Sequence, residues 1–371
     1  MCKSIATFIV STLLLCSFAQ GQDVDRAISF PDIPGYNTLK CDFHIHTVFS
    51  DGSVWPNIRV QEALRDGLDA ISLTEHLEYQ PHGADIPHPD RNRSYLIAKE
   101  QAKAHDLMIV HGAEITRDLP PGHANAIFIK DANKLVLLDS IEAYREAKRQ
   151  GGFIFWNHPN WIAQQRNGKA TLTDLHRMLI REGLLDGIEV VNDVTYSDEA
   201  LQIALDQDLT IIGTSDIHGL IDWQYELGRG GHRPISLVFA AERSEEGIKQ
   251  ALMARRTVAW FNNLLVGKNE VLQPLVEASL SVVECTYQGP SSVATVIIEN
   301  KSDASYILRN QTDYTFHAHA DVITVGAQSE TKIEVKTNEQ MGEFELSFEV
   351  MNAVIAPGTH PSIKIPVTVD L

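Results

Sequence analysis

The chain has 371 residues, of which 44% are hydrophobic and 22% charged, an ordinary globular composition that excludes a disordered, collagen-like or coiled-coil protein. Its 31 Lys and Arg stand against 49 Asp and Glu, a formal net charge of −18, which argues against a basic grip on a nucleic acid polymer or an anionic lipid surface. At about 150 residues per domain, the length allows two or three domains.

In chain order, residues 1–21 read as a signal peptide. Lys3 supplies the positive start and residues 5–18 are apolar apart from Thr and Ser, too short for a membrane span of about 20 residues. Ala19-Gln20-Gly21 places small residues at −3 and −1 of a cleavage site. The expected location is secreted or periplasmic, with Cys16 after Leu15 offering a lipoprotein site as the alternative. No later apolar run approaches the length of a span. Loss of the segment leaves Cys41 and Cys285, so no disulfide framework is expected. Residues 22–37 form an extended lead-in.

From 38 to 270, short apolar runs alternate with segments of helical period. Strands are predicted at 40–46, 69–74, 108–113, 124–129, 153–157, 187–191, 209–214, 235–240 and 257–261. Helices are predicted at 55–66, 93–105, 139–150 (capped by Ser140 and stopped by Gly151-Gly152), 173–182, 198–207 and 244–254. Such alternation predicts an α/β domain with a parallel sheet covered by helices, closed into a barrel with its chemistry at the C-terminal strand ends. The texture changes over 271–371. No helix is predicted there. Alternating β-branched runs at 292–299, 332–336, 343–350 and 363–369, with turn signals between them, predict a small all-β sandwich of seven or eight strands.

The chemistry gathers at the predicted strand ends. Within Cys41-Asp42-Phe43-His44-Ile45-His46, the residues Asp42, His44 and His46 share one face. Two imidazoles about 7 Å apart on one strand face can chelate a metal ion. Asp51 follows in the next loop. Thr74-Glu75-His76 ends the second strand and Glu114 the third; His123 precedes the fourth; His158 ends the fifth; Ser215-Asp216-Ile217-His218 ends the 209–214 strand. Six of the 15 histidines fall at these edges. Separate core or surface histidines would account for any one of them, but not for the shared placement. Six imidazoles with three carboxylates suit Mn, Zn or Fe rather than Mg or Ca. By contrast, His317-Ala318-His319 reads as a surface pair.

Asp42-Phe43-His44-Ile45-His46-Thr47 with Ser50-Asp51-Gly52, Thr74-Glu75-His76, Gly112-Ala113-Glu114-Ile115, His158-Pro159 and Ser215-Asp216-Ile217-His218 resemble the motifs of the PHP (polymerase and histidinol phosphatase) superfamily. The resemblance covers residues 38–262. It implies a distorted (βα)7 barrel holding two or three divalent metal ions. Carried over motif by motif, His44, His46, Glu114 and Asp216 would hold the first ion. Glu114 would bridge to a second, with His123 and His158, and Asp51, His76 and His218 would hold a third. Clustered ions lower the pKa of a bridging water and make a hydroxide nucleophile for phosphoester hydrolysis.

Other side chains are candidates for substrate and support. Arg117 is placed to hold a phosphate oxygen, with a salt bridge as the alternative, and His82 lies in a loop long enough to reach the barrel mouth. Glu75 is expected to orient His76, and Asn157 and Asn192 to orient ligands. Trp156 and Trp161 bracket His158-Pro159; core packing is expected for them, with lining of the pocket as the alternative. The run Glu114-Ile115-Thr116-Arg117 with Pro120-Pro121-Gly122-His123 and the appended β domain is similar to exported bacterial PHP phosphodiesterases. The expected function is hydrolysis of small organophosphate or nucleotide diesters; the expected partner is that small phosphoester, with protein partners unspecified. A phosphomonoesterase is the alternative. An amidohydrolase-like enzyme also begins with His-x-His, but commonly bridges its metals through a carboxylated Lys; here no Lys ends a central strand, and the candidate bridge is Glu114. A binding module with a degenerate barrel is a further alternative, opposed by nine competent ligand side chains.

Overall fold

The computed structural model describes residues 27–369. The predicted signal peptide and residues 22–26 of the lead-in lie outside the described residues. Among the described residues, no helix is long and apolar enough to cross a membrane.

The first domain is built on β1 (Asn37–Ile45), α1 (Pro56–Arg65), β2 (Ala70–Leu73), α2 (Arg93–Ala102), β3 (Met108–Ile115), β4 (Ala124–Ile127), α3 (Ser140–Arg149), β5 (Phe153–Trp156), α4 (Asp174–Arg181), β6 (Gly187–Asn192), β7 (Thr195–Tyr196), α5 (Asp198–Asp206), β8 (Thr210–Thr214), α6 (Ile221–Gln224), β9 (Ile235–Ala240), α7 (Glu245–Met253), β10 (Thr257–Phe261) and β11 (Leu264–Gly267). The nine predicted strands and six predicted helices correspond to elements in this series. Caps differ in detail: Asp139, not Ser140, caps α3, its carboxylate accepting from the Ile141 and Glu142 amides.

The sheet is mixed, not parallel as predicted. β1–β2–β3 and β5–β6–β8 pair in parallel. β4 runs antiparallel between β3 and β5, and β9 antiparallel to β1 and β10. A run of buried apolar residues looks the same in either direction, so composition does not set strand polarity. The sheet curls into a barrel-like form that closes where Ile45 of β1 bridges to Ile217 just beyond β8. That curl brings the C-terminal ends of β1, β2, β3, β5 and β8 to one rim.

The second domain is all-β. Two four-stranded sheets face each other, one including Leu280–Tyr287, Val293–Asn300 and Ser329–Lys336, the other Tyr306–Asn310, Glu343–Val350 and Ser362–Thr368. A helix, α8 (Asn269–Ser279), leads into it, where none was predicted. Pro274 lies inside α8 and reads as a breaker in sequence, while Val271, Leu272, Leu275 and Val276 form its buried stripe. Buried apolar side chains continue without a break from Ile45 and Leu73 in the barrel, through α8, to Val350 and Val367 in the sandwich. The segment Ala353–Val354 leaves the sandwich to pair in parallel with β11. Asn352 closes the junction, its Nδ2 donating to the Asn263 and Ser305 carbonyls at 2.7 and 2.8 Å.

Cys41 and Cys285 are buried, and burial raises the Cys41 thiol well above its ordinary pKa. His317 and His319 are exposed in the second domain.

Candidate metal centre

The strand ends place all nine predicted ligands on one rim. The pairing of β1 with β2 shifts register between Asp42 and Ile45, an irregularity of the kind that re-aims side chains. His44 Nε2 and His46 Nε2 lie 3.0 Å apart. Asp216 Oδ1 is 3.1 Å from the first and 3.2 Å from the second. Glu114 Oε2 is 3.6 and 3.4 Å from them. On the other oxygen of Glu114, His123 Nδ1 stands at 2.8 Å and His158 Nε2 at 3.7 Å. Asp51 sits between His218 Nε2 at 3.1 Å and His76 Nε2 at 3.3 Å. Three overlapping groups each keep their donor atoms within 4.8 Å of one another: His46, Asp51, His76 and His218; His44, His46 and Glu114; and His76, Glu114 and His123. His76 therefore also reaches the Glu114 side, its Nδ1 2.8 Å from Glu114 Oε2. Two predicted ligands are held in left-handed backbone, His158 at φ 29° and Asp216 at φ 49°. Such conformations cost about 1–3 kcal/mol and persist where the surroundings impose them.

The donor set fits divalent cations. Glu189 is an acceptor only, so His44 Nδ1, 2.7 Å from Glu189 Oε1, carries the proton and leaves Nε2 as a lone pair. Ser50 gives its hydroxyl proton to Glu75 at 2.6 Å, so it accepts from His46 Nδ1–H at 3.2 Å, and His46 Nε2 is likewise a free lone pair. His218 Nδ1–H donates to the Asp216 carbonyl at 2.7 Å and frees its Nε2. Lone pairs and carboxylate oxygens thus converge on one another, the arrangement of donors that a divalent cation takes. Glu114 Oε2 is fully buried and makes no well-formed hydrogen bond.

The titration behaviour expresses the same crowding. Burial opposes charge on His76, yet Glu114 and Asp51 push it up to about 10. His44 is also buried, and Asp216 and Glu189 hold it well above its ordinary value. His46, buried and facing His218 and His76, falls to about 3. Burial would raise Glu114, but His76 and His123 hold it well below the usual carboxylate range. Protons here occupy the place that cations fill.

The support for this cluster was only partly foreseen. Asn157 Nδ2 donates to Glu114 Oε1 at 2.9 Å, and Asn192 Nδ2 to Asp216 Oδ2 at 3.2 Å, as expected of orienting amides. Glu75 does not orient His76. It accepts from the Thr47 amide and hydroxyl and from Ser50, so it fastens the loop that carries His46 and Asp51. Arg59, wholly inside the fold, donates to the carbonyls of His46 and His218 at 3.0 Å each. Glu189 was missed altogether. Besides His44, it accepts from Thr214 Oγ1 at 2.6 Å, the His158 amide at 2.6 Å and Asn192 at 2.9 Å. The signal was a lone carboxylate inside the apolar strand Gly187–Asn192, buried where nothing apolar requires it.

Above the cluster opens a cleft of about 660 Å³. Asp51, His76, His123, His158, Asp216 and His218 form its floor; Asn160, Trp161, Ile162, Asn192, Asp193, Thr195 and Gln224 are among its walls. Arg117 and His82 are not among the residues that line it. Arg117 Nη2 pairs with Glu78 at 2.8 Å and donates to the Leu137 carbonyl, the salt-bridge alternative. Trp156 is core, stacked on His176 at 3.9 Å. Trp161 takes the alternative reading and lies half-exposed on the cleft wall.

Comparison with known proteins agrees with this geometry. A crystal structure of a two-domain protein from Bacteroides vulgatus, containing a predicted PHP-like metal-dependent phosphoesterase, is similar with TM-score 0.86 and 43% identity, over 92% of this chain and 98% of that one. The chain belongs to the PHP-like metal-dependent phosphoesterases. Residues 280–366 match the family model of an Ig-like domain. An uncharacterized protein of Methanocaldococcus jannaschii is 34% identical over 85 residues; the match spans 22% of this chain and 36% of that curated relative. The architecture of this PHP-like member is therefore a barrel-like α/β domain followed by an Ig-like β domain.

Proposed function

We propose that this PHP-like protein is an exported metal-dependent phosphodiesterase acting on small organophosphate or nucleotide diesters. The observation that carries the choice of diester is the charge of the cleft. Among the described residues, no Lys or Arg lines it, and Asp193 adds a further carboxylate to its wall. Arg117, the nearest candidate cation in sequence, is neutralised by Glu78. A monoester brings one more negative charge than a diester and would need fixed cations beyond the ligand cluster. The apolar stretch of residues 5–18 supports export.

Bound divalent ions (Mn, Zn or Fe) would supply Lewis acidity towards the phosphoryl oxygens and activate water at neutral pH. His44, His46, Glu114 and Asp216 would hold one ion, Glu114, His123 and His158 a second, and Asp51, His76 and His218 a third. Glu189 fixes the tautomer of His44. Asn157 and Asn192 hold Glu114 and Asp216 in place, so that little reorganisation is left for the reaction. The cleft admits a small ester to this floor from one side.

The test is hydrolysis of bis(p-nitrophenyl) phosphate beside p-nitrophenyl phosphate, with Mn, Zn or Fe added and metal counted by elemental analysis. Two or three ions per chain with a higher kcat/KM for the diester is the expected result. A higher kcat/KM for the monoester would overturn the choice of diester, and bound metal without either activity would overturn the phosphoesterase assignment.

A further inference from the structure

The wall of the cleft carries apolar surface that the metal ligands do not use. Trp161 is 45% exposed and Ile162 71% exposed, and both line the cleft. The indole lies against two predicted ligands, its ring centroid 5.2 Å from His158 at 68° and 5.6 Å from His123 at 59°. It sits on a self-bonded turn. The Trp161 amide donates to the His158 carbonyl at 2.9 Å, and the Gln164 and Gln165 amides donate to the Trp161 carbonyl at 3.0 and 2.7 Å. Gln164 Nε2 ties the turn to the Arg117 carbonyl at 2.9 Å.

A phosphorus atom held over His123 and His158 would have this wall beside one of its ester groups. Exposed indole surface at the mouth of a polar site gains most from a flat apolar partner, by stacking or edge contact. Among the described residues no Lys or Arg lines the cleft, which argues against recognition of a second anionic group along this wall. We propose that Trp161, with Ile162, forms a subsite for a planar aromatic ester group of the diester, either an aryl ring or a nucleobase. The proposal rests on the phosphodiesterase reading and adds the class of substituent.

The experiment measures kcat/KM of the metal-loaded full chain, as wild type, Trp161→Ala and Trp161→Phe. The substrates are bis(p-nitrophenyl) phosphate, a dithymidine phosphodiester and glycerophosphocholine. Trp161→Ala is expected to lose about 10- to 100-fold on aromatic diesters, chiefly in KM. That loss should exceed the loss on glycerophosphocholine about tenfold or more, and Trp161→Phe should recover most of it. The larger loss between the aryl and thymidine substrates identifies the aromatic source. Equal losses on all three diesters, or none, would overturn the subsite. Should the wild type turn over no diester, the phosphodiesterase reading fails, and the subsite is then judged by diphenyl phosphate binding followed by tryptophan fluorescence. A Kd unchanged by Trp161→Ala overturns it, and a weakened one supports it. Metal content and Tm equal to wild type establish that the half-exposed substitution leaves the fold intact.

Discussion

Replacing Glu189 by Gln removes one negative charge and changes no shape, which makes it the sharpest perturbation of the metal centre. Four donors converge on this carboxylate: His44 Nδ1 and Thr214 Oγ1 on one oxygen, and the His158 amide and Asn192 Nδ2 on the other. An amide offers one acceptor oxygen and one NH2. With its oxygen towards His44, the NH2 meets the His158 and Asn192 donors, and two hydrogen bonds to a charged acceptor are lost, at about 1.5–3 kcal/mol each. With its oxygen towards His158, the NH2 faces His44 Nδ1, and His44 must move its proton to Nε2, the atom that points at Asp216 and Glu114. Either arrangement disturbs a ligand. Loss of such a supporting partner typically weakens metal affinity about 10- to 100-fold, or roughly 1.4–2.8 kcal/mol. The assay is competition for Mn or Zn with a chromophoric chelator, together with Tm in the presence of EDTA. Both affinity and chelated Tm should fall. Wild-type affinity in a normally folded Glu189→Gln protein would refute the role given to Glu189.

Three further outcomes are expected. His44→Ala and Asp216→Asn should abolish turnover and lower bound metal, whereas His319→Ala, exposed in the second domain, should do neither; an equal loss in the last would sink the site assignment. Gly213→Ala should lower Tm by destabilising the fold about 1–3 kcal/mol, because the new Cβ would lie 2.6 Å from Ala259 Cβ and 3.1 Å from the Ile235 carbonyl; an unchanged Tm would refute this. His176 donates from Nε2 to the Pro121 carbonyl at 2.6 Å, and burial pushes it down to about 4. The unfolded chain takes up this proton near pH 6.5 and the folded one does not, so His176 contributes stability above pH 6.5 that is lost as pH falls towards 4. That loss approaches about 3 kcal/mol. His176→Gln should flatten the fall of denaturation free energy between pH 6.5 and 4, and the same slope in both proteins would contradict it.

The positions of the strands and helices were legible because local rules decide them: apolar period, caps and turn residues. The nine candidate ligands were legible for a related reason. Metal chemistry restricts them to His, Asp and Glu, and the barrel restricts them to strand ends, so type and position coincide in the sequence. What stayed hidden depends on pairing across the fold. Strand polarity was misread because β4, β9 and β10 carry the same apolar composition in either direction. The helix α8 was missed because Pro274 is a local veto that tertiary burial of Val271, Leu272, Leu275 and Val276 overrides. Glu189 looked like an oddity in an apolar strand until His44, 145 positions away in sequence, met it at 2.7 Å. Arg117 stood near the right place in sequence and turned to Glu78 instead. By itself the sequence determined which atoms are available to bind metal and roughly where they lie. Only the tertiary structure decided which of them meet, which carboxylate orients which imidazole, and that the cleft above them is walled by Trp161 and lined by no Lys or Arg among the described residues. The reason is physical: ligand identity is a property of one side chain, whereas hydrogen-bond partnership and charge balance are properties of pairs that only the curled sheet brings together.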